Sequence, residues 1–350
     1  MIFETITKEE FTTFAKNSPY KSFMQTEEIA KLREKGGWTA YFLGVRKNSE
    51  LIAATMLVAK PTFLGKSTFF APGGPLLDLN DTKLTNFFLK NLKHFIKTHN
   101  GFLFRITPYF ELRSRDIDGE PTKDFYHKKA LENLKNNGFK AVSDTTQPKY
   151  LFALDLENKP YDDLYKDFRK NTRGHIKKAE KQGVTLREID KSEFKTLKTL
   201  TDGTAARRDY DDRSLTYYKN MYDLFAPKNE VKFVLAEAKI DNKVVPISVS
   251  MLMTYGDEVV SLFSGSDKKY MRDYNAQYLV KAEMIKFAAE NGFKRFNFYG
   301  INGLPDKNSK DYGLYDFKKG FNGHVVELLG TYELAVTPLA HIYNFLRKLK

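Results

Sequence analysis

The stretches NGFLFRI at residues 100–106 and NGFKRFNFY at residues 291–299 decide the fold, because each ends the same series of elements. In each stretch, Asn-Gly ends a predicted helix and an apolar strand follows. The helix spans residues 82–98 in the first case and residues 275–290 in the second. Before each helix, alternating apolar stretches and polar turns predict a hairpin and one more strand. Such a series can also occur by chance in an α/β chain. The distance from the hairpin to Asn-Gly is nearly equal in the two series, however, and this favours an internal duplication.

Composition limits the classes of protein that this chain can belong to. With 350 residues it is long enough for two domains, at the usual ~150 residues each. Hydrophobic residues make up 41%, which excludes a disordered chain, and the absence of cysteine excludes disulfides and thiol chemistry. There is no secretory leader pattern and no run of ~18 apolar residues, so we expect a soluble, cytoplasmic protein. The net charge of +13 indicates an anionic partner such as nucleic acid, a phosphorylated small molecule or a membrane surface.

Two further helices carry an unusual pattern of charge or apolar residues. In the predicted helix 161–181, basic residues recur every four positions along one face, at Arg169, Arg173, Lys177 and Lys181. This face is either a track for phosphates or an ordinary solvated face, and the pattern leaves both open. The predicted helix 338–349 places Leu339, Ile342, Phe345, Leu346 and Leu349 on one side. Packing onto a domain is favoured there, although Arg347, Lys348 and Lys350 leave membrane-surface contact open.

The segment DYGLYDFKKGFNG at residues 311–323 combines aromatic residues, lysines and glycines. Such a cluster suits a site that approaches an anionic or acyl ligand closely. The alternative is a helix end with solvated lysines and a glycine C-cap.

Other chemistry is missing from the sequence. The histidines are scattered, so no metal site is predicted, and no GxSxG, P-loop or GxGxxG motif occurs. The two halves look like acyltransferase domains of the acetyl-CoA type, yet neither contains the glycine-rich loop that holds the CoA pyrophosphate. We therefore predict an α/β protein of the α+β type, with two tandem GNAT-like domains built of mixed sheets flanked by helices. The first domain takes residues 1–155 and about 325–350, and the second takes residues 156–324.

Two such halves, followed by Tyr-x-Phe-Lys at residues 315–318, resemble the Fem family of peptidoglycan-bridge aminoacyltransferases over nearly the whole chain. Further motifs match in the family's order. They are Lys35 before Trp38, Gly74-Pro75 with Asp78, Arg105 with Pro108, the run 168–179 with Gly183, and Arg213 with Tyr217. The chain departs from the family at Thr107, where a carboxylate is usual, and at Phe263, where a tyrosine is usual.

The resemblance implies a donor, an acceptor and a reaction. The donor is aminoacyl-tRNA, a co-substrate, with no separate cofactor. The acceptor is the stem-peptide lysine of lipid II or of UDP-MurNAc-pentapeptide, and the amino acid is Ala, Ser or Gly. No heptad run matches the coiled-coil arm of the larger members, so the chain looks like the arm-less FemX type. A monomer that contacts the inner membrane face is also expected.

Site residues follow from the resemblance together with the chemistry of ester aminolysis, which needs a cation at the developing oxyanion. Lys318 is the catalytic candidate, with Phe317 holding the adenine or the acyl ester; a surface lysine on a helix is the alternative. Lys35 and Arg213 are expected to hold the acceptor's diphosphate and carboxylates. The remaining predicted substrate-binding residues are Trp38, Arg105, Tyr217, Phe263 and Tyr315. The predicted tRNA-binding residues are Arg169, Arg173, Lys177, Lys181 and Lys319, the last of these expected to be solvated.

Rival functions remain at the level of sequence. One is an N-acyltransferase that uses CoA or another acyl carrier, and it would need the missing pyrophosphate loop. Another is a basic RNA-binding protein without catalysis, which would not need Lys318. A third is a peripheral membrane scaffold that uses the C-terminal helix.

Overall fold

The structure is a computed structural model that describes residues 1–143 and 147–348. Leu349 and Lys350, which were assigned to the C-terminal helix and its basic end, lie outside the described residues.

The strands are β1 (Ile2–Thr5), β2 (Thr39–Lys47), β3 (Glu50–Phe63), β4 (Lys66–Gly73), β5 (Gly101–Pro108), β6 (Glu111–Arg115), β7 (Pro121–Tyr126), β8 (Lys140–Ala141), β9 (Tyr150–Asp155), β10 (Thr185–Glu188), β11 (Val231–Ile240), β12 (Lys243–Tyr255), β13 (Glu258–Ser266), β14 (Arg295–Ile301), β15 (His324–Leu328) and β16 (Tyr332–Ala335). The helices are α1 (Lys8–Asn17), α2 (Glu27–Glu34), α3 (Thr82–Thr98), α4 (Lys128–Asn136), α5 (Tyr161–Asp167), α6 (Lys170–Lys181), α7 (Phe194–Arg208), α8 (Leu215–Phe225), α9 (Met271–Tyr274), α10 (Ala276–Glu290), α11 (Tyr312–Lys319) and α12 (Leu339–Lys348).

The chain forms two compact units. The first comprises Met1–Arg115, Pro121–Tyr150 and Val326–Lys350, and the second comprises Asp116–Glu120 and Leu151–Val325. The observed boundary at Tyr150 precedes the predicted one at residue 155, because β9 belongs to the sheet of the second unit.

The first unit is built on a sheet whose strands follow the order β1-β2-β3-β4-β5-β16-β8. Its pairs are antiparallel, apart from the parallel pair of β4 and β5. The core includes Phe69 and Phe104 of the sheet and Phe88 of α3. Helix α3 begins at the cap Asp81, whose side chain accepts a hydrogen bond from Leu84 N, and it turns its apolar stripe toward the core.

The second unit repeats this arrangement, with strands in the order β10-β11-β12-β13-β14-β9-β15. Again the first four strands pair antiparallel, and the pair of β13 and β14 is parallel. The sixth position is occupied by β16 in the first sheet and by β9 in the second. The predicted repetition of element order is therefore confirmed.

The predicted single helix 161–181 is wrong, because the structure has two helices there, α5 and α6. Phe168 and Arg169 between them are extended, with ψ of 145° and 144°. Phe168 is buried with its ring 5.1 Å from that of Phe321, and the Arg169 N–H bonds to the Gly320 carbonyl. These tertiary contacts outweigh the helical propensity of the segment.

The apolar side predicted for the C-terminal helix is divided in the structure. Leu339 and Tyr343 of α12 pack against a small core around Phe102, whereas Ile342, Phe345 and Leu346 are 55%, 64% and 43% exposed. Within the described ranges, no helix combines the length and the apolar character that crossing a membrane requires.

Candidate active site

The parallel strands β13 and β14 separate part of the way along their length. They pair only at Glu258–Val260 with Arg295–Asn297, although β13 continues to Ser266 and β14 to Ile301. The equivalent strands of the first unit, β4 and β5, stay paired as far as Gly73 and Pro108. A V-shaped opening, which we call the splay, is thus a feature of the second sheet and not of the first.

On the β14 side, a side chain replaces the neighbouring strand as hydrogen-bond partner. The backbone N–H of Tyr299 donates to the side-chain oxygen of Asn297 at 2.7 Å, and Asn297 in turn donates to Glu258. Tyr299 adopts a φ of +64°, which is uncommon for an aromatic residue and costs backbone strain. The carbonyl groups of Tyr299 and Gly300 at this turn accept hydrogen bonds from Lys318.

On the β13 side, helix α7 takes over the pairing. The N–H of Ser266 donates to the hydroxyl of Thr204 at 3.0 Å, and Arg207 donates to the Ser266 carbonyl at 3.0 Å. Gly265 permits this approach, since a Cβ there would lie 2.5 Å from the backbone of Leu200. Tyr299 on one edge of the splay and Ser266 on the other therefore have hydrogen-bond partners without a strand between them.

Lys318 of α11 reaches into the splay. Its ammonium group donates to the Gly300 carbonyl at 2.6 Å and to the Tyr299 carbonyl at 3.1 Å, and the residue is 6% exposed. Burial, together with the charges of Lys281 and Arg208, holds the pKa of Lys318 well below its usual value. Among the described residues, its third N–H has no acceptor. The alternative of a surface lysine is therefore wrong.

Phe317, the other catalytic candidate, belongs to an aromatic cluster beside Lys318. Its half-buried ring lies 4.7 Å from the ring of Tyr278 and 5.6 Å from that of Phe321, in both cases edge-on. Tyr278 also stacks on His175 at 4.5 Å. The cluster offers aromatic faces of the kind on which a base or an ester can lie.

Three predicted substrate residues meet at a second aromatic group. The guanidinium of Arg213 lies 5.4 Å from the ring centre of Tyr217, and Tyr217 lies 6.1 Å from Phe263. Burial raises the pKa of Tyr299; the charge of Tyr217 adds to that rise and the charge of Arg213 opposes it, so Tyr299 is within electrostatic range of both. The structure thus brings Arg213, Tyr217 and Phe263 together, and the first two lie in range of Tyr299, whose carbonyl binds Lys318.

Tyr315, which was predicted to contact the substrate, is buried in the core. It is 4% exposed, and its hydroxyl donates to the Ile117 carbonyl at 2.7 Å. Lys319, which was expected to be solvated, forms an ion pair with Asp118, and its side chain is only 14% exposed. The pair lowers the pKa of Asp118. Both residues tie α11 to the segment Asp116–Glu120.

The predicted tRNA-binding face of residues 169–181 contains two kinds of basic residue. Arg169 forms an ion pair with Asp316 at 2.9 Å, and Arg173 donates to the carbonyls of Lys166 and Phe168 at the end of α5. Lys177 and Lys181 are exposed on α6. The two lysines remain available to an anionic partner, whereas the two arginines also hold the break between α5 and α6.

The other predicted substrate residues lie in the first unit. Lys35 is the exposed C-cap residue of α2, and Trp38 lies 5.8 Å from the charged groups of Arg33 and Lys60. Arg105 is largely occupied, because it donates to Glu333 at 3.0 and 2.5 Å across the β5–β16 pair. Where the family has a carboxylate, Thr107 is buried, and its hydroxyl accepts the Gly73 N–H.

Sequence reasoning missed a buried lysine on α10. Lys281 is 4% exposed and donates to the hydroxyls of Ser250, Ser261 and Ser264 at 3.0, 2.7 and 2.9 Å. Burial lowers its pKa to about 7. The available signal was a lysine on the apolar side of a helix, opposite serines that alternate along β12 and β13.

Asp212 accepts hydrogen bonds from Lys198 at 2.9 Å, from Thr201 at 2.6 Å and from Tyr218 at 2.7 Å. Burial alone would raise the pKa of Asp212, and these donors lower it.

Several known proteins are similar to this chain in sequence or in structure. The chain is 26% identical to aminoacyltransferase FemA of Staphylococcus epidermidis, and the alignment covers 100% of both. That alignment is 417 positions long, so the relative contains segments absent from this 350-residue chain. The longest helix in the described ranges has 17 residues, which agrees with the predicted lack of a coiled-coil arm.

Two solved structures share the fold. A crystal structure of FemX superposes with a TM-score of 0.84 at 22% identity, covering 98% of this chain and 99% of that one. A tandem GNAT protein from the clavulanic acid biosynthesis pathway gives a TM-score of 0.57 at 10% identity, with 96% and 99% coverage. The predicted fold class, two tandem GNAT-like units, is confirmed. The model of the FemAB family matches residues 6–244 and 237–348, and the chain therefore belongs to the FemAB family.

Proposed function

We propose that this chain transfers an amino acid from aminoacyl-tRNA to the side-chain amine of the stem-peptide lysine in a peptidoglycan precursor. The chain is an aminoacyltransferase, a function supported by its membership in the FemAB family and its similarity to aminoacyltransferase FemA. The observation that carries the proposal is the position of Lys318 in the splay, with two N–H groups bound by carbonyls and the third directed to no described residue.

The reaction is aminolysis of an ester, and its tetrahedral intermediate carries an oxyanion. The two carbonyls hold the Lys318 side chain in place before substrate binds, so little reorganisation accompanies the reaction. Burial and neighbouring positive charges make the ammonium group costly in the free site. An oxyanion at the third N–H offsets that cost as its charge develops, so the interaction strengthens in the transition state.

The substrates have separate candidate contacts. Phe317 and Tyr278 offer aromatic faces for the terminal adenosine of the tRNA, and Lys177 and Lys181 suit its phosphates. Arg213, supported by Tyr217, suits a phosphate or carboxylate of the acceptor, and Lys35 of the first unit is assigned the same role. The acceptor is lipid II or UDP-MurNAc-pentapeptide, and the donor carries Ala, Ser or Gly. Aminoacyl-tRNA is the co-substrate, and we expect no other cofactor to be needed.

Contact with the inner face of the membrane belongs to the same proposal. Ile342, Phe345 and Leu346 form an exposed apolar group on α12, and Arg347 follows them. Such a helix suits an anionic lipid surface. We expect a monomer that sediments with phosphatidylglycerol vesicles, and we expect Phe345→Ser to abolish sedimentation. Equal sedimentation of both proteins would contradict the membrane contact.

The test of the proposed function mixes the purified chain with alanyl-, seryl- or glycyl-tRNA and UDP-MurNAc-pentapeptide, followed by mass measurement of the acceptor. The expected result is a mass increase of one amino acid residue with at least one of the three donors. The absence of product with all three donors, and with lipid II as the alternative acceptor, would overturn the proposal. Salt-sensitive RNA binding without product would favour a basic RNA-binding protein.

A further inference from the structure

The cage of hydroxyls around Lys281 is the feature that the proposed mechanism leaves unused. Ser250, Ser261 and Ser264 surround the amine, and Ser250 and Ser264 also bond to each other at 2.9 Å. Within the described part of the chain, no carboxylate pairs with Lys281. A buried amine without a counterion is expensive to charge, so a purely structural role would be filled better by an apolar residue.

Hydroxyl ligands suit both protonation states of an amine. A hydroxyl can donate or accept, and so three serines can accept from an ammonium group or donate to the lone pair of a neutral amine. The carbonyl ligands of Lys318 can only accept, and they favour its ammonium form. The two buried lysines therefore differ: the ligands of Lys318 can only accept from it, whereas those of Lys281 can hydrogen-bond to both its charged and its neutral form.

The charges of the two lysines are coupled. The charge of Lys281 is among the causes that lower the pKa of Lys318, so the two amines act on each other across the splay. The other charged group close enough to contribute is Arg208 at the end of α7. On the same helix, Tyr278 lies one turn before Lys281 and stacks on His175 of α6. Strands β12 and β13 present hydroxyls to the cage.

One member of the cage lies on the part of β13 that borders the opening between β13 and β14. Ser250 and Ser261 are 1% and 5% exposed, whereas Ser264 is half-buried and follows Phe263, the ring that contacts Tyr217. Ser264 lies beyond the last paired residue of β13, Val260, where the strand has left β14. Ser264 is therefore the member of the cage that a bound substrate can approach.

The following inference rests on the proposed function. We propose that Lys281 is the proton acceptor of the aminolysis, and that the hydroxyl of Ser264 carries the proton to Lys281 from the ammonium group of the substrate lysine. The hydroxyl takes one proton from the substrate nitrogen and gives its own to the nitrogen of Lys281. The neutral substrate amine then forms a bond to the ester carbon, and the electron pair of the carbonyl moves to the oxygen beside Lys318.

The remaining steps balance the protons. As the bond from carbon to the ribose oxygen breaks, that oxygen keeps the electron pair and takes a proton from the new C–N nitrogen. The products are an amide, a ribose hydroxyl and Lys281 as ammonium, which returns its proton to water through Ser264. A pKa near 7 suits this role, because a proton acceptor works best when it titrates near the ambient pH.

The test compares pH profiles of kcat/KM for the wild type, Lys281→Met and Ser264→Ala, with alanyl-, seryl- or glycyl-tRNA and UDP-MurNAc-pentapeptide. Lys286→Met is the matched control, since Lys286 is a lysine of the same helix outside the cage. The wild type and the control should lose activity below about pH 7. The two cage variants should be slower by about tenfold or more at pH 7 and recover toward pH 10, where the substrate amine deprotonates by itself.

A second acceptor substrate distinguishes a role of the cage in proton transfer from a purely structural role. Hydroxylamine is already neutral at pH 7, so the cage variants should transfer to it at the wild-type rate, whereas Lys318→Met should be slow with both acceptors. Wild-type pH profiles in both cage variants would overturn the inference, as would equal losses with both acceptors. If Lys281→Met fails to bind aminoacyl-tRNA, Ser264→Ala decides alone. A wild-type protein that yields no muropeptide product refutes the proposed function instead.

Discussion

The carbonyl oxygen of Tyr299 lies 3.1 Å from the ammonium nitrogen of Lys318, and it reaches that position through a left-handed backbone conformation, with φ of +64°. Asn297 holds this conformation by accepting the Tyr299 N–H. The catalytic candidate is therefore positioned by a turn two residues long at the end of β14.

Replacing Asn297 with Ala should loosen that turn. The Tyr299 N–H would lose its partner, and the carbonyl that holds Lys318 would move. We expect kcat to fall by about tenfold with little change in tRNA affinity. Asn291→Ala, at the exposed end of α10, is the control, and steady-state kinetics of both variants provide the comparison. An unchanged kcat in Asn297→Ala would show that the turn does not position Lys318.

Lys318→Met should reduce kcat by about a hundredfold or more, because it removes the donor to the oxyanion. The exposed Lys310→Met is the matched control. Single-turnover rates with pre-bound aminoacyl-tRNA separate chemistry from binding. A rate equal to that of the wild type would remove Lys318 from the mechanism.

Lys177→Ala combined with Lys181→Ala should weaken tRNA binding, because the two ammonium groups no longer neutralise phosphates of the tRNA. The dependence of affinity on salt should flatten by about one unit of slope for each phosphate that is no longer bound. Lys93→Ala combined with Lys97→Ala, an exposed pair with the same spacing on α3, is the control. Fluorescence anisotropy over a salt series measures both. Identical slopes in the two double variants would place the tRNA elsewhere.

Glu333→Ala should destabilise the first unit by about 3 kcal/mol, because it removes the shielded carboxylate that accepts from both Arg105 and Arg347. The pair of Arg105 and Glu333 is shielded, with side chains 17% and 4% exposed. Glu132→Ala breaks an exposed pair and should cost about 0.3 kcal/mol. Denaturant unfolding measures the stability of both variants. A loss of stability in Arg105→Ala would show that Arg105 has a structural role, whether or not it also contacts substrate as predicted.

The cost of burying Lys281 should depend on pH. Its pKa is about 7 in the fold, against ~10.4 in the unfolded chain. Between these values the unfolded chain binds more protons, so the stability of the wild type relative to Lys281→Met should rise with pH by about 1.4 kcal/mol per unit. Below pH 7 the difference should be constant. A flat difference from pH 7 to pH 10 would show that Lys281 keeps its proton in the fold.

Features that depend on residues close together in the sequence could be predicted. Asn100-Gly101 and Asn291-Gly292 end helices as predicted, and the repeated order of elements gave the tandem fold. Lys318 was identified from its motif, and the structure then places it in a buried site.

What the sequence did not reveal depends on contacts between distant segments. The break at Phe168 is due to packing against Phe321, and Tyr315 is held in the core by the hydrogen bond from its hydroxyl to the Ile117 carbonyl. Lys281 looked like one more lysine on a helix, since the serines that surround it lie 17 to 31 residues away. Neither propensity nor periodicity reports such pairings.

The place of β16 in the first sheet has a consequence for synthesis on the ribosome. Residues 332–335 lie between β5 and β8, yet they are translated after the whole second unit. Until they emerge, the nascent first unit holds β5 with an unpaired edge, which is a template for wrong strand pairing. The second unit can therefore complete its fold first, although the first unit begins the chain.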